Sequence, residues 1–132
     1  GKTLPEAVRA LLDAPNIYTN LEIQCEILGS SPPLPNRIAT GLYRIAQEAI
    51  NNVKQHANAK NLRVELTLVP ERVQLVIEDN GKGFRTHQIP DGHYGLIGMK
   101  ERVKLLGGKI NISSTPKVGT IIEVTVSLEA II

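Results

Sequence analysis

Two short stretches of this chain carry side chains able to do chemistry. The first is Gln47-Glu48-Ala49-Ile50-Asn51-Asn52-Val53-Lys54-Gln55-His56-Ala57, in which Glu48 and Asn52 are spaced i, i+4 with Asn51, Gln55 and His56 beside them. On a helix that spacing stacks the two side chains on one face, so a carboxylate and carboxamides project together from a rigid support. The second is Glu78-Asp79-Asn80-Gly81-Lys82-Gly83-Phe84, a carboxylate followed by glycines. Glycine lets backbone approach a ligand closely, and an ionised carboxylate only accepts hydrogen bonds. Asp79 can therefore accept from the exocyclic amine of adenine and would reject the carbonyl that guanine presents there. Asn52 offers a hard carbonyl oxygen of the kind Mg²⁺ takes when phosphate and water complete its shell. Glu48, one turn away, could orient or deprotonate a nucleophile beside a γ-phosphate.

Two further stretches fit the same reading. Gly95-Leu96-Ile97-Gly98-Met99 opens a helix, where unpaired N–H groups and the positive dipole end favour phosphate and two glycines let it approach. Val118-Gly119-Thr120 closes a glycine turn. Each motif also has a plain structural reading. Glu and Asn on an outer helix face are usually solvated, Asp-Asn-Gly is good turn chemistry, and a G-x-x-G helix start is a weak signal by itself. Lys100 and Arg102 read as solvated charges, and Thr120 as a residue that suits strands.

The elements that must position these residues follow from hydrophobic period. Leu42, Ile45, Ala46, Ala49, Ile50, Val53 and Ala57 recur at steps of three and four, predicting an amphipathic helix capped by Asn36, running to about His56 and broken by residues 58–61. Thr3-Leu4-Pro5-Glu6 has the form of a capping box, which predicts an earlier helix over about 4–13, ended by Pro15. Residues 19–28 alternate as a half-buried strand, and the glycine- and proline-rich segment 29–35 reads as a loop. Residues 62–69 and 73–79 form a hairpin turned by Pro70-Glu71-Arg72. The stretch 80–94 has no apolar period and reads as a mobile loop, of a length more often functional than structural. A helix then starts near Gly95, turns Leu96, Met99, Val103 and Leu106 inward and stops at Gly107-Gly108, and residues 109–114 and 120–128 make a last hairpin. The expected architecture is α+β: a two-layer α/β sandwich whose mainly antiparallel mixed sheet is covered on one face by three helices.

At 132 residues the chain reads as one domain, 1–132, long enough to bury about two thirds of its unfolded surface. It has no uninterrupted apolar run near the roughly 20 residues of a membrane span, and no signal peptide is visible, so no membrane contact by this domain is expected. A formal charge of +2 with one Phe, three Tyr and no Trp argues against direct nucleic-acid binding, while leaving room for a phosphate-bearing ligand. The single cysteine, Cys25, shares the apolar side of Leu21, Ile23 and Ile27 and reads as a small buried hydrophobe in a reducing cytosol.

Taken in order, Q-E-A-I-N-N-V-K-Q-H-A, E-D-N-G-K-G-F, Y-G-L-I-G-M-K-E-R and V-G-T-I-I-E-V resemble the N-box and three glycine boxes of the ATP-binding domain of sensor histidine kinases. That domain belongs to a superfamily shared with gyrase B, Hsp90 and MutL. The likeness runs from about Leu42 to Leu128, and the second box looks like the subgroup pairing with regulators that carry a helix-turn-helix output domain. The resemblance implies ATP and Mg²⁺ as cofactors. It makes Asn52 the metal ligand, Glu48 the residue that activates the phosphoacceptor, and Asp79 the adenine contact supported by Thr120. Gly81, Gly83, Gly95, Leu96 and Gly98 frame the nucleotide, with Asn51 and His56 also on the cofactor, under a lid of residues 84–94. The family commonly has Lys or Arg before the box histidine, whereas this chain has Gln55 there and Lys54 one place earlier, which puts a phosphate contact from position 55 in doubt.

The chain shows no dimerisation helices and no acceptor His beside an acidic residue on a helix; His56 is in the N-box, and His87 and His93 are in the lid. The expected partners are thus a separate phosphoacceptor dimerisation domain of the same kinase and a downstream response regulator, with this domain in the cytoplasm as an excised part of a longer kinase, whether or not that parent is membrane-anchored. Two alternatives share the fold: a self-contained ATPase of the gyrase or Hsp90 kind, and a nucleotide-binding regulator such as an anti-sigma-factor-like serine kinase. The short lid argues against the first and the second-box features against both.

Overall fold

A computed structural model describes residues 3–13, 21–30, 32–85 and 95–128, with the backbone alone at His56 and Ala57. Its elements are α1 (Leu4–Asp13), β1 (Glu22–Gly29), α2 (Asn36–Asn52), β2 (Asn61–Val69), β3 (Arg72–Asp79), α3 (Leu96–Leu105), β4 (Lys109–Thr115) and β5 (Gly119–Ser127). The five strands form one sheet in the order β1-β2-β3-β5-β4. β1 runs parallel to β2 and the other neighbours are antiparallel, so the sheet is mixed and mainly antiparallel, as expected.

One face of the sheet is buried beneath the helices. Val64 and Leu66 of β2, Val73, Leu75 and Ile77 of β3, and Ile122, Val124 and Val126 of β5 meet Val8 of α1, Ile38, Leu42, Ile45, Ala46, Ala49 and Ile50 of α2, and Met99 and Val103 of α3. Each large aliphatic side chain so buried contributes roughly 1.5–3 kcal/mol relative to exposure, which holds α2 rigidly against β3. The opposite face is polar. Arg63 donates to Glu78 across the β2–β3 pair at 2.9 Å and lies 3.0 Å from Glu65. Val76, in the central strand β3, is buried from that side and breaks the alternation.

The first helix begins as predicted. The Glu6 N–H donates to Thr3 Oγ1 at 3.3 Å and the Thr3 hydroxyl donates to the Glu6 carboxylate at 2.9 Å. The start of α2 corrects the sequence reading. Pro35, extended at φ −53° and ψ 140°, is the cap, and Asn36 is the first helical residue with no capping bond from its side chain. The Pro35 carbonyl accepts from both Ile38 and Ala39, and a ring that fixes φ already presets the chain's entry. The other end differs as well: regular α-helix stops at Asn52, and Val53–Ala57 continue as one wider π turn until Asn58 enters the left-handed region at φ 51°. Cys25, on the edge strand β1, is half-buried against the core, and that burial raises its thiol pKa. No helix among the described residues is long and apolar enough to cross a membrane.

Candidate functional site

The polar face of α2 stands opposite its apolar stripe, as the spacing requires. Glu48 and Asn52 are half-buried, while Asn51 and Gln55 are exposed. The His56 side chain lies outside the described residues, as does most of the expected lid, residues 86–94 with His87 and His93. Lys54 turns away: its Nζ donates to the Leu11 carbonyl at 3.2 Å, near the end of α1. The basic residue one place before position 55 thus ties two helices together.

Glu48 does not simply point into solvent. Its carboxylate packs on Gly95, so closely that a Cβ at position 95 would overlap Oε1. Gly95 caps α3 at φ 71°, in the left-handed region that glycine enters without steric cost, and the helix's own first turn carries no acidic residue. Leu96 is buried in the core, so only its backbone N–H is available to a ligand. Gly98 is exposed, with open space where a Cβ would stand. Arg44, Gln47, Glu48, Gly95, Gly98 and Arg102 line a cleft of about 290 Å³ between α2 and α3. The N–H groups of a helix start have no intrahelical acceptor, and with guanidinium groups beside them they suit an anion, in a cleft that the Glu48 carboxylate shares.

Asp79 is the buried charged side chain among the described residues, 9% exposed at the end of β3. Its Oδ1 accepts from the Gly81 N–H at 2.8 Å. Burial pushes the carboxyl above its ordinary range, the Gly81 amide pulls it back, and nearby Glu78 adds to the rise. Thr120 is the cross-strand partner of Asp79, and both face the helix side of the sheet. The glycines hold this corner together. A Cβ on Gly119, at φ 137°, would overlap the Asp79 carbonyl, and one on Gly83 would overlap the Thr115 carbonyl. The Lys117 N–H also donates to the Lys82 carbonyl at 2.6 Å. The turn joining β4 to β5 therefore clamps the loop that leaves Asp79.

Two residues beyond the predicted set complete the corner. Asn80 accepts from the Lys60 and Asn61 N–H groups at 3.0 and 2.8 Å and donates to the Asn61 side chain at 2.8 Å, anchoring the loop to the start of β2. Ser114 accepts from the Phe84 N–H at 2.9 Å, donates to the Gly119 carbonyl at 3.2 Å and lies 2.7 Å from the Thr120 hydroxyl. The available signal for Ser114 was its place as a lone hydroxyl following Ile110 and Ile112 on the inner side of β4. No group of three or more His, Cys, Asp or Glu among the described residues could hold a metal. A single carboxamide such as Asn52 instead fits a cation that brings phosphate oxygens and water as its other ligands.

Residues 38–130 match the family described as "Histidine kinase-, DNA gyrase B-, and HSP90-like ATPase", and the chain belongs to that family. It is 35% identical over 128 residues to the sensor histidine kinase LiaS of Bacillus subtilis, covering 97% of this chain and 35% of LiaS. It is 33% identical over 111 residues to the signal transduction histidine-protein kinase/phosphatase DegS of Brevibacillus brevis, covering 84% of this chain and 29% of DegS. The chain thus spans about a third of the length of these relatives. Its fold matches the ATP binding domain of PrrB from Mycobacterium tuberculosis with a TM-score of 0.67 at 23% identity, over 96% of this chain and 94% of that one.

Proposed function

We propose that this chain is the single ATP-binding catalytic domain of a cytoplasmic portion of a two-component sensor histidine kinase. In this reading it binds Mg-ATP and presents the γ-phosphate to a His on a separate dimerisation domain of the same kinase. The observation that carries this is the Asp79 carboxylate, buried with Oδ1 engaged by the Gly81 amide, at the end of a strand packed under α2. A buried acceptor with capacity to spare is costly unless a donor meets it, and the amine of adenine is such a donor. The kinase names of its relatives and the ATPase family to which the chain belongs support the same reading.

The residues divide the work. Asp79, backed by Thr120, takes the base, and Gly81 and Gly83 let the loop backbone come close to it. The backbone of Gly95, Leu96 and Gly98 at the start of α3 receives phosphate oxygens, with Asn51 and His56 contributing polar contacts from the α2 side. Asn52 would hold Mg²⁺, which when bound would neutralise phosphate charge. Glu48 orients the incoming imidazole and takes its proton as the N–P bond forms, and ADP leaves with the electrons of the broken P–O bond. The phosphate then passes to a response regulator, which we assign to the class with a helix-turn-helix output. Calorimetric titration tests the base contact: ATP and ADP should bind well above GTP, and Asp79→Asn should lose most of that affinity. Equal binding of GTP, or unchanged ATP binding by the variant, would remove Asp79 from the site.

A further inference from the structure

Ser114 is placed to decide what the base-binding edge can recognise, because its three contacts favour one direction for its proton. The Phe84 N–H can only donate and the Gly119 carbonyl can only accept, at 2.9 and 3.2 Å from Ser114 Oγ. A serine hydroxyl carries one proton and two lone pairs. The assignment that supplies a proton to all three contacts spends the serine proton on Gly119 and leaves a lone pair toward Thr120. The Thr120 hydroxyl, 2.7 Å away, must then donate to Ser114. With its proton so directed, Thr120 offers only lone pairs elsewhere. Its register partner Asp79 offers only acceptors too, and directly opposed residues in an antiparallel pair have Cβ atoms about 5 Å apart.

We propose that Ser114 is a specificity-positioning residue, which holds the Thr120 hydroxyl as an acceptor so that Asp79 and Thr120 together select a purine with an amine at its 6-position over one with a carbonyl. This rests on the reading of Asp79 as the base contact and deepens it. Without the serine hydroxyl, the threonine rotor is free and its proton can turn outward. An oxo group at the purine 6-position then gains the donor that the intact edge denies it. The same serine holds the first residues beyond Gly83 through the Phe84 N–H, so a purely structural role is the competing account.

The two accounts separate on a ratio. Inosine triphosphate differs from ATP in the base edge alone, so the test is calorimetric titration of both nucleotides, with Mg²⁺, against the wild-type domain and its variants. The wild type should prefer ATP by about 10²-fold or more, as expected of a site built from oriented hydrogen-bonding groups. Ser114→Ala should narrow that preference by about tenfold, mainly through tighter inosine triphosphate binding, and Ser114→Thr should restore it. Because Ser114 acts through Thr120, adding Ser114→Ala to Thr120→Val should leave the ratio of Thr120→Val unchanged. If Ser114→Ala weakens both nucleotides by the same factor, or still shifts the ratio in the Thr120→Val background, the inference is wrong and Ser114 merely braces the loop. Thr120→Val keeps the Ser114 contacts to Phe84 and Gly119, so an unchanged ratio there overturns it even where Ser114→Ala does not fold. A preference retained by Asp79→Asn overturns the base reading and this inference with it, whereas a preference lost in Asp79→Asn beside an unchanged Ser114→Ala overturns this inference alone.

Discussion

Replacing Gly95 with Ala puts a Cβ where the Glu48 carboxylate now sits, on a backbone held at φ 71°. Two costs can be worked out. The left-handed conformation costs an L-residue about 1–2 kcal/mol. Glu48 is the far end of a flexible side chain on α2, so it can move, leaving its rotamer well for of order 0.5–1.5 kcal/mol. Together these amount to about 1.5–3.5 kcal/mol, or a fall in Tm on the order of 10 °C for a domain of this size. Denaturant unfolding of the wild type, Gly95→Ala, Glu48→Ala and the double variant resolves the two parts. In the Glu48→Ala background the backbone cost should remain and the displacement cost should vanish, giving a coupling of about 0.5–1.5 kcal/mol. An equal cost of Gly95→Ala with and without the carboxylate would show that Glu48 does not rest on the start of α3. A cost under about 0.5 kcal/mol would show that the cap is not left-handed.

Asp79→Asn should raise the thermal stability of the empty protein at neutral pH, though it loses ATP. Burial raises the native carboxyl above its unfolded value, so between the two the native state binds more protons and stability falls as pH rises. The Tm difference between variant and wild type should accordingly open as pH climbs through and above the carboxylate range; a gap independent of pH would contradict burial as the cause. Asn52→Ala removes the side-chain carbonyl, and Mg²⁺ should no longer strengthen ATP binding while binding without metal survives; full Mg²⁺ dependence in the variant would place the ligand elsewhere. Glu48→Gln should bind ATP nearly as wild type, yet lower transfer to a supplied acceptor helix pair by roughly 10²-fold, as for loss of a positioned general base. Full transfer by that variant would leave Glu48 as packing for Gly95.

Much of this arrangement could be read from local pattern. The three-and-four spacing of Leu42 to Val53 gives the buried face of α2 and, by elimination, the polar face that carries Glu48 and Asn52. Gly107-Gly108 ends α3 as expected: the Gly108 N–H reaches back to the Val103 carbonyl at 3.0 Å. The reading failed where neighbouring residues compete for one job. Pro35 rather than Asn36 caps α2, because preset backbone geometry needed no side-chain bond, and a helical period cannot distinguish the last α-turn from the π turn that replaces it.

What the sequence by itself determined is the set of elements, the face each one buries, and the residue types able to meet a nucleotide, since these depend on neighbours within a few positions. The tertiary structure alone decided that β1 lies parallel beside β2, and that β5 rather than β4 takes the place next to β3. From that order come the Asp79–Thr120 pairing, the Ser114 contact that orients it, and the seat of Glu48 on Gly95. Hydrophobic period states which side of a strand or helix is buried, but not which partner it is buried against. Register between distant elements is chosen only when the whole core packs, and a slip of one residue would turn Asp79 and Thr120 to opposite faces of the sheet.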